Sequence, residues 1–214
     1  MTSGLASELG EELVLDVTRA GSPEVLFAAK NLVRFLAQYF LDLGKTPEEG
    51  DKVDWASSLL ICRRAAPGVL TFDELEFDGE TVAPGVSTCT TVWVQQSDVC
   101  HQFKSEFRPA RFGQLVSLSP GALDDCAKIE GVRYPAPSHM SGWWLFADGY
   151  DGAKDDFRSM VLTHVFEALQ KQPRLAPVLG LDCGFAFRTG PAASASQLHP
   201  EVWFEQDVAA QGVP

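Results

Sequence analysis

The chain has 214 residues, 45% hydrophobic and 21% charged, and its 29 acidic residues outnumber 17 basic ones for a net charge of −12. That length supports one or two domains and a core that needs no disulfide or metal staple, and the composition is too apolar for disorder. Negative charge argues against wrapping nucleic acid or lying on an anionic membrane, both of which need a positive field. The imbalance is lopsided: residues 1–100 hold 16 acids and 7 bases, residues 101–214 hold 13 and 10. The first residues lack the basic and apolar regions of a secretory signal. No stretch reaches the ~18 uninterrupted apolar residues that cross a bilayer. Five cysteines, none in C-x-x-C spacing, read as buried reduced thiols, so a cytoplasmic location is expected.

In chain order, the clearest element is a helix from Pro23 to Leu43. Ser22 caps it, Pro23 suits the first helical position, and Glu24 meets the positive end of the helix. Val25, Ala29, Leu32, Val33, Leu36, Phe40 and Leu43 form its apolar stripe, and Gly44 closes it. Residues 45–54 read as a loop. Residues 57–62 and 69–77 read as strands, the second bounded by the Asp78-Gly79 turn signal. Residues 87–94, rich in β-branched side chains, read as the return strand, and periodicity leaves open a short helix toward Phe103. A strand lies within 107–118, and 120–128 begins with a proline suited to a helix start.

The last third is the most patterned. Residues 142–146 read as a strand, Tyr150-Asp151-Gly152 as a turn, and 154–170 as a second strong helix with Phe157, Met160, Val161, Val165 and Leu169 buried. A strand at 184–188, a small-residue loop at 190–196 and a terminal strand at 201–204 complete the order. No internal repeat is visible. Helices and strands mix without a βαβ repeat, so the expected class is α+β, a mixed or antiparallel sheet with two long packed helices. The expected division is an N-terminal helix plus acidic hairpin region (1–105) and a C-terminal α+β domain (106–214).

Catalytic patterns are weak. Gly44-Lys45-Thr46 mimics the tail of a phosphate loop, but Tyr39 stands where that loop needs glycine, and the tripeptide follows a helix rather than a strand. His101, His139, His164 and His199 are too far apart for a local metal motif, and no cofactor is implied. Cys183 with His139 or His164 is the best nucleophilic pair, but Cys183, between Leu181 and Phe185, reads first as a residue that fills core volume. Two other features invite a partner. Asp73, Glu74, Glu76, Asp78 and Glu80 crowd one hairpin; on a strand, Glu74 and Glu76 would face solvent opposite Leu75 and Phe77. Such charge either discourages edge pairing or docks a basic protein. In Trp143-Trp144, strand alternation would send one indole inward and leave the other as an interface anchor, against the alternative of both being core.

The block Arg133-Tyr134-Pro135-Ala136-Pro137-Ser138-His139-Met140-Ser141-Gly142-Trp143-Trp144 is highly specific. It is accompanied by Tyr150-Asp151-Gly152, His164, Pro173-Arg174-Leu175, the run Leu181 to Arg188, and Glu201-Val202-Trp203-Phe204. Together, over roughly residues 130–208, these resemble an immunity-protein domain of bacterial polymorphic toxin and type VI secretion effector systems. The resemblance implies an antitoxin that binds a secreted toxin, with a nuclease effector as first choice, and performs no catalysis. The partner would offer a basic substrate groove, contacted through Asp73, Glu74, Glu76, Asp78, Glu80, Trp143 and Trp144, without nucleic acid or membrane. A cysteine hydrolase and an effector-loading adaptor or chaperone are the alternatives.

Overall fold

A computed structural model describes residues 5–17, 22–124, 128–150, 159–190 and 200–210. The chain divides into two compact units, residues 1–94 and 95–214. In the first, α1 (Ala6–Leu9) and β1 (Glu12–Leu13) precede α2 (Pro23–Leu43), then β2 (Lys52–Trp55), β3 (Ser58–Ala66), β4 (Val69–Leu75) and β5 (Val82–Ala83). Helix α2 starts and stops as its ends dictate: the Val25 amide donates to the Ser22 hydroxyl at 3.3 Å, and Gly44 closes the last turn at φ +59°. Its Leu32, Leu36 and Phe40 share a core with Leu60, Cys62, Leu70 and Phe72 of β3 and β4. Leu43, expected in that stripe, is exposed.

β2 pairs antiparallel with β3, and β3 with β4; β1 lies parallel to β4, which also carries β5. The expected loop at 45–54 therefore ends early, because Val53 and Trp55 alternate inward as β2. The Asp78-Gly79 turn forms, but its return strand is only the two-residue β5.

Residues 87–94 are not a strand. They open α3 (Ser87–Phe103), whose β-branched residues are accommodated by hydroxyls bonding back along the helix, Thr90 to the Val86 carbonyl at 2.6 Å and Thr91 to that of Ser87 at 2.7 Å. Helix α3 is thus the second long helix, in place of the one expected at 154–170.

The second unit holds a six-stranded mixed sheet of β6 (Leu115–Leu118), β7 (Ile129–Arg133), β8 (Met140–Ala147), β9 (Val161–His164), β10 (Phe185–Arg188) and β11 (Glu201–Phe204). The spatial order is β11-β10-β7-β8-β6-β9, with β6 and β8 parallel and the other pairs antiparallel. The class is α+β, as expected. Of the expected helix at 154–170, residues 154–158 lie outside the described residues, and Val161–His164 is strand β9. Only α4 (Val165–Lys171) is helical, started where the His164 amide donates to Glu167 at 3.0 Å. Val165 and Leu169 are buried as expected, but Val161 is exposed. Among the described residues of 120–128 there are turns and no helix. A 3₁₀ segment at Pro173–Val178 and the short α5 (Gln206–Ala209) complete the unit. The turn at Asp151-Gly152, residues 191–196 of the expected loop, Cys126 and His199 fall outside the described residues. No described helix is long and apolar enough to cross a membrane.

One irregularity positions the tryptophans. Between Leu115↔Met140 and Ser117↔Trp144, β6 advances two residues while β8 advances four, so β8 bulges around Ser141-Gly142. Ser141 stitches the bulge, its hydroxyl donating to the Leu115 carbonyl at 2.9 Å. Gly142 has φ +79°, and a Cβ there would sit 2.2 Å from the Tyr134 carbonyl oxygen. Gly142→Ala is therefore expected to cost about 2–3 kcal/mol, as backbone strain plus a clash with a fixed carbonyl. Urea denaturation of the purified variant checks this; a loss under about 0.5 kcal/mol would show that the bulge relaxes freely.

Candidate partner-binding site

The acidic hairpin is wired into the fold rather than presented on it. On β4, Leu70, Phe72 and Glu74 alternate to the buried face, so Glu74 is 2% exposed and the expectation that it faces solvent is wrong. Its carboxylate accepts from the amides of Thr88 at 2.8 Å and Cys89 at 2.6 Å. Those are first-turn amides of α3, where a helix lacks internal acceptors and favours negative charge. Glu74 is the tertiary contact that lets 87–94 start a helix.

The neighbouring carboxylates are similarly engaged. Asp73 pairs with Arg63 at 3.3 Å and accepts from the Gly85 amide at 3.2 Å, and Glu76 accepts from the Thr88 hydroxyl at 3.4 Å. The Thr81 hydroxyl and the amides of Thr81 and Glu80 hold the Asp78 carboxyl below its usual range and close the turn. Glu80 is exposed at the tip. Glu74→Ala should cost about 2 kcal/mol, the scale of a buried hydrogen bond to a charged group. Amide exchange at Thr88 and Cys89 should accelerate; unchanged exchange there would contradict the capping role.

The tryptophan pair divides as strand alternation predicts. Trp143 is fully buried, its ring centroid 5.2 Å from that of Phe187. It offers nothing to a partner, which corrects its place among the contact residues. Trp144 is half-buried on the opposite face, edge-on to Tyr134 at 5.6 Å. Strand register sets Trp203, Ala186, Val132 and Trp144 in one row across β11, β10, β7 and β8. Val132, Ala186, Phe146 and Val208 of α5 form a small core there, with Tyr134, Trp144, Tyr150, Met160 and Trp203 packed half-buried against it. Arg188 lies over the Trp203 ring at 5.7 Å. Half-buried rings beside an arginine match the enrichment of aromatic residues and arginine at protein interfaces. The sequence signal for this face was available in alternate residues of four strands, but their adjacency depends on register.

Behind Trp143 sits a buried arginine. Arg133 Nε donates to the Ser141 carbonyl at 3.0 Å, and its Nη1 donates to the carbonyls of Arg108 and Leu181. Burial pushes its guanidinium below its usual pKa, yet arginine keeps its charge inside proteins. These contacts tie β7, β8 and two loops of the unit together.

Little here resembles a cysteine hydrolase. The Cys183 thiol lies 3.6 Å from the Tyr134 carbonyl, and burial raises its pKa, opposite to what an activated nucleophile needs. His164 Nδ1 lies 3.1 Å from the Gly113 carbonyl, and His139 is exposed. Burial also pushes the thiols of Cys62 and Cys100 up to about 11 and that of Cys89 well above its ordinary value. Among the described residues, no three His, Cys, Asp or Glu side chains gather to hold a metal ion.

With this geometry in place, comparison with known families is decisive: the model of the Imm33-like domain matches residues 95–205. The chain belongs to the Imm33-like family. This is an immunity-protein family, in agreement with the resemblance carried by the block from Arg133 to Trp144 and its accompanying motifs, and the match begins well before residue 130. No curated protein and no solved structure matches the chain. The Imm33-like domain contains Arg133, the bulged β8, both tryptophans of the pair, Cys183 and the aromatic sheet face. The acidic hairpin of residues 73–80 lies outside it.

Proposed function

We propose that this Imm33-like protein neutralises a cognate secreted toxin in the cytoplasm by direct one-to-one binding, with no catalysis of its own. Membership of an immunity-protein family carries the reading. The half-exposed aromatics of the six-stranded sheet support it by supplying anchors of the kind that dominate binding energy. Net charge favours a basic target, and a type VI secretion nuclease, whose substrate groove must be positive, fits that requirement. The contact is assigned to Trp144 and the surrounding sheet face. Asp73, Glu74, Glu76 and Asp78 already accept internal hydrogen bonds, which leaves Glu80 as the most available acid of the hairpin.

Titrating the full chain against a toxin that it protects cells from provides the test. Toxin activity should fall linearly with added protein and reach its floor at a molar ratio of one. Neutralisation by far fewer molecules than toxin would mean turnover and sink the stoichiometric mechanism.

A further inference from the structure

On the aromatic face of the Imm33-like domain is a groove of about 240 Å³, lined by Lys128, Glu130, Phe146, Asp148, Tyr150 and Arg188 among others. Register explains its composition. Glu201 stands opposite Arg188, Arg188 opposite Glu130, and Glu130 opposite Phe146, so a ladder of alternating charge runs into an aromatic ring in one row. Phe146 and Tyr150 stack with centroids 5.8 Å apart.

The charges around the groove are unequal. Arg188 pairs with Glu130 at 2.9 Å and with Glu201 at 3.8 Å, and Lys128 pairs with Asp148 at 3.8 Å. Both cations are matched, and one carboxylate is in excess. Two of the three acids stand further out than the cations: Asp148 and Glu201 side chains are 64% and 77% exposed, against 50% for Lys128 and 52% for Arg188, while Glu130, at 20%, lies deeper. A visitor therefore meets negative charge at the rim and aromatic carbon within, on a chain whose net charge is −12.

A guanidinium satisfies both. It is planar and weakly hydrated, stacks on aromatic faces, and donates in a fork to carboxylates. An anionic group would be repelled at the rim, and an aliphatic one would leave the excess negative charge unmatched. We propose that this groove docks an arginine side chain projected by the cognate toxin. The occupant's identity rests on the toxin-neutralising reading above; the groove's preference for a guanidinium does not.

Two arms test it on the full chain. In the first, N-acetyl-arginine methylamide is titrated and followed by NMR, with the uncharged citrulline analogue and N-acetyl-glutamate methylamide as controls. Shifts should gather at Lys128, Glu130, Asp148, Tyr150 and the Trp203 indole, and the D148K/E201K double variant should weaken binding at least fivefold. Equal shifts at the Glu80 turn, or an equal response to either control, would overturn the groove as a guanidinium site.

In the second arm, the probe is a catalytically silenced form of the toxin used in the neutralisation titration above. D148K/E201K should slow association at least tenfold at low salt, while Glu80→Lys leaves it within twofold. The reverse order would place the contact on the acidic turn and overturn the proposal. Binding of the arginine probe without binding of the toxin would instead overturn the toxin reading, and with it the identity of the occupant.

Discussion

Trp143→Ala is expected to destabilise the protein by about 3–5 kcal/mol, the range for truncating a fully buried large aromatic. Trp144→Ala should cost about 1–2 kcal/mol, because its ring is only half removed from water. The gap follows from the bulge at Ser141-Gly142, which aims one indole at Phe187 and the other at Tyr134. Truncating Trp143 opens a cavity that β-strand neighbours cannot collapse into, whereas the Trp144 site is bounded partly by solvent. Trp143→Phe should recover most of the loss, since the Trp143 Nε1 has no hydrogen-bond partner among the described residues. Denaturant unfolding of the three variants is the measurement. Equal losses for both alanine variants would mean that the two faces of β8 are equally buried.

Arg133→Met should be comparably severe, at about 3–5 kcal/mol. Replacing a buried ion pair by apolar residues is often harmless because both partners leave together. Here the partners are the backbone carbonyls of Ser141, Arg108 and Leu181, which no substitution removes. The Ser141 and Leu181 carbonyls would stay buried without this donor, at about 1–3 kcal/mol apiece before any relaxation or water entry, and the part-buried Arg108 carbonyl would cost less. Arg133→Lys should rescue only part of the loss, because an ammonium cannot span three acceptors in the plane of a guanidinium. Arg133 also stands over the Trp143 ring at 5.7 Å, so losses from the two sites should not add. A methionine variant as stable as the parent would mean that water, not Arg133, satisfies those carbonyls.

Local chemistry made parts of the fold legible. Helix α2 could be bounded because Ser22, Pro23 and Gly44 act within one turn of where they stand. Strands β3, β4, β8, β10 and β11 could be recognised from short apolar or β-branched runs between turn residues. The misreadings share a cause. Residues 87–94 have strand-like propensity, and their helix depends on Glu74 supplying a carboxylate to its amides from outside the segment. Val161 stands at helical spacing from Val165 and Leu169, but pairing of Val161–His164 with β6 makes that segment a strand. Propensity is a weak prior that such long-range partners override.

The site divides along the same line. The immunity signature was readable because the block from Pro137 to Trp143 and the terminal Val202-Trp203-Phe204 form specific local patterns, and the family match covers residues 95–205. Which tryptophan is buried was not readable, since the bulge that decides it exists only when β8 lies beside β6. Nor was the fate of the acidic cluster. Counting five carboxylates in eight residues says nothing of where the amides of α3 and the Arg63 side chain will stand.

By itself, the sequence determined the charge of −12, the α+β class, the bounds of the first long helix and the family signature. All depend on composition or on residues within one helical turn of each other. Tertiary structure decided how that charge is used. It turned Glu74 inward to start a helix, closed a turn with Asp78, and set Glu130, Asp148 and Glu201 around an aromatic groove. The physical reason is that a carboxylate's role depends on the donors and water within a few ångströms of it, and strand register and helix placement bring those donors from distant parts of the chain.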